Sequence, residues 1–121
     1  MTVIYETNVV ELGSMVDSFY EDQMIILFSS YAPEEMKEYC VLHETNQLHK
    51  DIQVGDTLYI GEESYDVTAV GSAVNKNLDQ LGHITLSFYG KTEPELPGYL
   101  CLENKKITPV QDGNKIKILR D

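Results

Sequence analysis

Basic residues are scarce in this 121-residue chain, which has nine Lys and Arg against twenty Asp and Glu and a formal net charge of −11. Proteins that bind nucleic acid do so through clusters of Lys and Arg that neutralise phosphates, so this composition excludes nucleic acid as an expected partner. The same deficit disfavours binding to an anionic membrane surface.

Long hydrophobic runs are also missing, since no stretch approaches the roughly 18 apolar residues of a membrane-spanning helix. The first residues lack the basic and apolar regions of a signal peptide. Cysteine occurs only as Cys40 and Cys101, which form no C-x-x-C pair, and we expect two buried free thiols in a reducing compartment. These absences predict a cytoplasmic protein without direct membrane insertion.

Sequence motifs of several enzyme classes are absent as well. The chain has no G-x-S-x-G nucleophile elbow, no P-loop and no G-x-G-x-x-G fingerprint, so hydrolase and nucleotide-binding functions have no support. The spacing of His43, His49 and His83 matches no common zinc pattern. We therefore expect neither a metal nor a cofactor.

Short runs of alternating or continuous apolar residues dominate the rest of the chain and predict strands rather than long helices. These runs lie at residues 3–5, 24–28, 57–60, 65–70, 84–89, 99–102 and 116–119. The pair around residues 61–64 predicts a hairpin. One-turn helices are expected after Pro33 and between Asn75, as N-cap, and Gly82.

About seven short strands predict an all-β domain over residues 1–121. Exposed strand edges promote aggregation, and closing the sheet removes them. A small closed or nearly closed β-barrel with one-turn helices is therefore the first expectation, and a β-sandwich is the second.

His43 and His83 are the candidate catalytic residues of the chain. His43 ends the apolar run of residues 39–42, so we expect a ring held by a strand with its tip open to solvent, as a nucleophilic imidazole requires. A partly exposed surface histidine fits the same position. His83 follows Gly82 and is either a histidine bonded to backbone groups or a second imidazole beside the first. His49 is expected to be a solvated surface residue.

Gly71 and Ser72 come directly after a predicted strand and before the helix near Asn75. Free backbone N–H groups at a turn and at a helix start can hold a phosphoryl group, and the Ser72 hydroxyl can add a contact. A plain loop without ligand fits the same residues.

Four segments of the chain together resemble a known family. They are residues 1–5 (MTVIY), 38–43 (EYCVLH), 67–72 (VTAVGS) and 77–86 (NLDQLGHITL). In their order and spacing they are similar to the glucitol/sorbitol-specific IIA components of the bacterial phosphoenolpyruvate-dependent sugar phosphotransferase system. The resemblance covers most of the chain.

The resemblance implies a compact β-barrel that carries a phosphoryl group. A family member takes this group from the phosphocarrier protein HPr on a histidine and passes it to the IIB component of a permease, whose IIC component imports the sugar. His43 matches the family's phosphorylated histidine, and His83 matches the histidine of its G-H-x-T-L stretch, with an orienting or phosphoryl-contacting role. Sugar specificity follows from the resemblance alone.

Two other classes of function remain open from the residues themselves. The first is a non-enzymatic adaptor that binds a protein partner through the acidic N-terminal part, where residues 1–49 hold nine acids and one base. The second is a barrel that binds a small ligand, which predicts a deep apolar pocket.

Overall fold

Eight strands close into a β-barrel in the computed structural model, which describes residues 2–44 and 47–121. The strands are β1 (Thr2–Leu12), β2 (Met24–Ser29), β3 (Cys40–His43), β4 (Thr57–Ile60), β5 (Glu63–Val70), β6 (Ile84–Ser87), β7 (Tyr99–Leu102) and β8 (Lys115–Arg120). Their order around the barrel is β1-β3-β2-β6-β7-β5-β4-β8, and β8 pairs with β1. The predicted barrel is confirmed.

The predicted hairpin between residues 57 and 70 is also confirmed, with a tighter turn than the sequence indicates. Ile60 pairs directly with Glu63, so only Gly61 and Glu62 lie between the strands. Gly61 has a φ of 60°, which L-residues rarely adopt. Of the residues 61–64 that were expected to form the loop, Glu63 and Ser64 therefore belong to β5 instead.

The described residues also form three short helices outside the strands. A 3-10 helix covers Val16–Asp22, α1 covers Glu34–Lys37 directly after Pro33, and α2 covers Val74–Leu81. Asn75 is not the N-cap of α2, because the helix begins at Val74 and its N-cap is Ala73. The Asn75 side-chain Oδ1 instead accepts a hydrogen bond from the Ile52 N–H at 2.7 Å. Gly82 ends α2 in the left-handed conformation, with a φ of 66°, as predicted.

Strand alternation divides the side chains of β2 and β3 between two faces. Leu27 and Val41 belong to the large cluster inside the barrel, whereas Phe28 packs outside against a smaller cluster that includes Cys40 and Leu42. The inner face therefore holds the core, and the outer face of these two strands is covered near α1.

The pairing of β2 with its two neighbours brings distant residues to one end of the barrel. β2 and β3 are parallel and pair Ser29 with His43, while β2 and β6 are antiparallel and pair Leu27 with Ile84. The end of β3 and the start of β6 thus lie on either side of the end of β2. This topology places His43 close to the turn at Gly82.

Candidate functional site

His43 is completely buried, with 0% of its surface exposed. Its ring lies in the barrel interior and meets the Tyr5 ring edge-on, with centroids 6.3 Å apart. The expectation of a tip open to solvent is therefore wrong. Strand alternation explains the difference, because Val41 and His43 face inward while Leu42 between them faces outward.

Both ring nitrogens of His43 face backbone carbonyl oxygens. Nδ1 lies 2.8 Å from the Glu44 oxygen, and Nε2 lies 2.8 Å from the Gly82 oxygen. A carbonyl only accepts hydrogen bonds, and a neutral imidazole carries one N–H, so the neutral ring satisfies only one of these contacts. Neither nitrogen presents a free lone pair to an incoming group in this conformation.

The Nδ1 side of His43 is held by several contacts. The Thr7 hydroxyl donates to the Glu44 oxygen at 2.6 Å, and Thr7 Oγ1 lies 3.3 Å from Nδ1. The Glu44 backbone N–H donates to the Asn8 oxygen, and the Asn8 amide donates to Oε2 of Glu44. These bonds fix the start of the loop that follows β3.

The Nε2 side is covered by the turn at Gly82, where space is tight. A Cβ atom at Gly82 would lie 3.0 Å from Cε1 of His43 and 3.1 Å from Cβ of Ser29. The turn is anchored by the end of α2, since the Gly82 N–H donates to the Leu78 oxygen. Glycine is required here both for its positive φ and for the close approach to the imidazole.

His83 lies on the outer face of the barrel and is partly exposed. Its ring stacks on Phe28, with centroids 4.3 Å apart and planes 20° apart, and its Nδ1 lies 3.1 Å from the Leu27 oxygen. His83 therefore is bonded to backbone, as the first of its two interpretations predicts. It is joined to His43 through Gly82, but the two rings lie on opposite faces of the sheet.

A cavity of about 190 Å³ opens beside His83. Its lining residues include Asn77, Thr85 and Tyr99, whose side chains make no hydrogen bond to the part of the chain that the structure describes. Sequence reasoning missed these residues. A signal was present, because His83 directly precedes the predicted strand that begins at Ile84 and is two residues from Thr85, so extended backbone places both on one face. The pairing of Thr85 with Tyr99 is visible only in the structure.

Gly71 and Ser72 lie away from both histidines, at the opposite end of α2 from Gly82. Eight helical residues separate the two ends by about 12 Å. The expectation of a free N–H at Gly71 is wrong, because that group donates to the Tyr99 oxygen at 2.9 Å. The structure thus gives no support to a phosphoryl-binding role for these two residues.

His49 is exposed, as predicted, and Cys40 and Cys101 are buried free cysteines, also as predicted. Burial raises the pKa of the Cys40 thiol to about 11. Within residues 2–44 and 47–121, no group of three or more His, Cys, Asp and Glu residues is placed to hold a metal ion.

Comparison with known proteins places the chain in a family. Residues 4–117 match the family described as "PTS system glucitol/sorbitol-specific IIA component". Glucitol/sorbitol-specific EIIA components of Shigella flexneri and Escherichia coli (strain K12) are each 37% identical over 117 residues, covering 97% of this chain and 95% of theirs.

A solved structure has the same fold. The crystal structure of a PTS system IIA component from Enterococcus faecalis V583 superposes with a TM-score of 0.85 and 26% identity, covering 96% of this chain and all of that one. Sequence and structure agree with the resemblance noted in the four segments. The chain belongs to the glucitol/sorbitol-specific IIA components of the sugar phosphotransferase system.

Proposed function

We propose that this protein is a cytoplasmic phosphoryl carrier that accepts a phosphoryl group from phospho-HPr on His43 and passes it to the IIB component of a glucitol/sorbitol permease. Membership of the family supports the carrier role. The sugar never contacts such a carrier in this proposal, so sugar specificity resides in the permease.

One observation carries the assignment of the site. The two histidines of the matching segments, His43 and His83, are forty positions apart, yet both meet the same turn: His43 through its contact with the Gly82 oxygen, and His83 as the next residue. A single movement of this turn affects both rings.

The proposed transfer requires that turn to open, because both nitrogens of His43 face carbonyl oxygens. The Nδ1 side is held by Thr7 and Glu44, whereas Nε2 has a hydrogen-bond contact with the Gly82 oxygen and with no other atom of residues 2–44 and 47–121. Withdrawal of the Gly82 carbonyl would expose Nε2 while Nδ1–H stays bonded to the Glu44 oxygen. Nε2 is then the atom that attacks phosphorus.

Phosphoryl transfer between two imidazoles needs little covalent chemistry from the protein. The phosphoryl group passes in line through a loose transition state, so catalysis depends on positioning and on stabilising charge. The fixed Nδ1 side of His43 supplies the positioning. His83 reaches the transferred group only when the turn has moved, and in that state it serves as the orienting or phosphoryl-contacting residue.

The charge of the chain fits transient contacts with protein partners. Residues 1–49 carry nine acids against one base, and complementary charge accelerates encounter with a basic surface. Among the residues that the structure describes, none of the helices is long and apolar enough to span a membrane. The proposed partners are HPr on one side and the IIB and IIC components on the other.

The test is phosphorylation in a purified system of phosphoenolpyruvate, enzyme I, HPr and this protein. We expect an acid-labile, base-stable phosphohistidine on the peptide that contains His43, and its transfer to the IIB component when that is added. The His43→Gln variant should lose the label from this peptide. No label in the wild type, while a known IIA component is labelled in parallel, contradicts the carrier function.

A second candidate function is a non-enzymatic adaptor, and the complete burial of His43 favours it. In this function a protein partner binds the acidic face that includes the exposed Glu34 and Glu35 of α1. Loss of partner binding in the variants Glu34→Lys and Glu35→Lys, without phosphorylation of the wild type, would establish the adaptor and exclude the carrier.

A further inference from the structure

This inference rests on the proposed carrier function and concerns the atom that a protein donor reaches first. We propose that His83 is a second phosphoryl-accepting residue, whose Nε2 takes the phosphoryl group at the outer surface of the barrel without any movement of the fold.

The tautomer of His83 follows from its contacts. Nδ1 lies 3.1 Å from the Leu27 oxygen, which can only accept, so Nδ1 carries a proton and in the neutral ring Nε2 carries the lone pair. Nε2 makes no hydrogen bond within residues 2–44 and 47–121. Stacking on Phe28 at 4.3 Å holds the plane of the ring. The imidazole is thus fixed and partly exposed, and in its neutral form the lone pair is on Nε2, as a nucleophile requires.

The cavity beside the ring offers hydrogen-bond donors for phosphoryl oxygens. Thr85, Tyr99 and Asn77 are among its lining residues, each carries a hydrogen-bond donor on its side chain, and none of these side chains has a hydrogen-bond partner in the described part of the chain. Thr85 and Tyr99 are held by adjacent parallel strands in register, so their positions relative to His83 are set by the backbone. The volume of about 190 Å³ accommodates a phosphoryl group.

The transfer step balances without any further reactant. The Nε2 lone pair of His83 forms the new N–P bond while the N–P bond of the donor phosphohistidine breaks. The donor ring is protonated on its other nitrogen, so the leaving nitrogen keeps the electron pair of the broken bond and the donor leaves as a neutral imidazole. The proton on Nδ1 of His83 stays on that nitrogen and remains hydrogen-bonded to the Leu27 oxygen. The positive charge that develops on the ring is therefore stabilised by the carbonyl dipole. No proton has to move between the proteins.

The other two histidines serve as comparisons within the same chain. His43 is fully buried with both nitrogens facing carbonyls, whereas His49 is exposed, and no hydrogen bond of its ring or ring contact is described. His83 alone among the three combines partial exposure, a fixed ring plane and a free nitrogen within the described residues.

The experiment maps phosphohistidine on the full chain with two donors, phospho-HPr and the small donor phosphoramidate. Wild-type protein and the variants His43→Gln, His83→Gln and His49→Gln are treated briefly, digested at alkaline pH and analysed by mass spectrometry. We expect phospho-HPr to label His83 in the wild type, in His43→Gln and in His49→Gln, and phosphoramidate to label His83 in preference to the buried His43.

Removing the hydroxyl of Thr85 changes the cavity and leaves the proposed nucleophile, His83, in place. Thr85→Val keeps the branched shape and should slow labelling of His83 by phospho-HPr roughly tenfold, as expected for one lost hydrogen bond to a charged group. Thr85→Ser keeps the hydroxyl and should react at nearly the wild-type rate. Labelling of His43 should be equal in the two variants.

The outcomes separate this inference from the carrier function. Label on His43 alone, with none on His83 in the His43→Gln variant, overturns the inference and leaves the carrier function standing. Label on His83 alone supports it and contradicts the acceptor role of His43. An unlabelled wild type, beside a labelled control IIA component, contradicts both.

Discussion

The Nε2 atom of His43 lies 2.8 Å from the carbonyl oxygen of Gly82, which ends α2 and precedes His83. This contact joins a buried imidazole to the turn that carries the exposed one. A phosphoryl group on Nε2 cannot coexist with it, because the group would occupy the position of the carbonyl. The proposed acceptance of a phosphoryl group at Nε2 of His43 would therefore require displacement of the turn.

Substitution of Gly82 tests how tightly this turn is packed. Gly82→Ala introduces strain at a φ of 66° and places a Cβ 3.0 Å from His43, so we expect a loss of about 1–3 kcal/mol in the free energy of unfolding. Gly55→Ala, with a φ of 97° and open space, should lose only the strain, and Gly98→Ala should be near neutral. In urea titrations, a Gly82→Ala variant as stable as Gly98→Ala would contradict both the strain and the close packing at Gly82.

The Thr7 hydroxyl is expected to stabilise the position of the Glu44 carbonyl oxygen, which also contacts Nδ1 of His43. Thr7 is 3% exposed and donates to the Glu44 oxygen at 2.6 Å, so Thr7→Val should cost about 1 kcal/mol in unfolding free energy. Thr7→Ser, which retains the hydroxyl, should recover part of that loss. In the phosphorylation assay, transfer to His43 should slow in the valine variant and not in the serine variant. Identical rates would remove Thr7 from the positioning of the ring.

The ion pair between Asp56 and Arg120 predicts a pH dependence of stability. Burial of the Asp56 carboxyl works to raise its pKa, but hydrogen bonds from Arg120 and from the Gln53 N–H outweigh burial and leave the pKa below its usual value. A carboxyl with a lowered pKa stabilises the fold above the unfolded-state pKa of about 3.9, and this contribution is lost as the pH falls through the folded-state value.

Asp56→Asn should therefore unfold at a lower temperature than the wild type at neutral pH, with the difference narrowing below about pH 4. The exposed Asp112 provides the control, since Asp112→Asn should change the melting temperature little at either pH. A constant difference between wild type and Asp56→Asn across this range would show that the ion pair is not the cause.

The two thiols should be unreactive in the folded protein. Cys40 and Cys101 are 0% and 1% exposed, and burial raises the pKa of both, although Lys91 partly offsets the shift at Cys101. Ellman's reagent at about pH 8 should find no thiol in the native protein and both in denaturant. Ser72→Cys, at an exposed position, should add one reactive thiol in the native state. Rapid native reaction of the wild type would contradict the buried placement.

The barrel could be predicted from the sequence because its strands have clear patterns. In β5 the apolar Tyr65, Val67 and Ala69 alternate with other residues, and Gly82 marks a helix end by its conformational freedom. The order of the strands could not be predicted, since it includes the parallel pairs β2–β3 and β6–β7, which no local pattern encodes.

The site was harder to predict because it depends on which face of a strand a residue occupies. Residues 39–42 form a continuous apolar run without alternation, so the sequence leaves the direction of His43 open, and the pairing of β3 decides it. For His83 the sequence does indicate which face of the sheet the side chain occupies. Its spacing of two residues from Thr85 places both side chains on one face, opposite the buried Ile84.

The central claim is that a protein phosphohistidine donates its phosphoryl group to a histidine of this chain. Its most direct test is the intact mass of the protein after incubation with phosphoenolpyruvate and catalytic amounts of enzyme I and HPr, followed by addition of the IIB component. The account predicts a phosphorylated chain that returns to its unmodified mass as the IIB component gains the group. A chain whose mass never changes, with a working donor and a control IIA component that is phosphorylated, would contradict it.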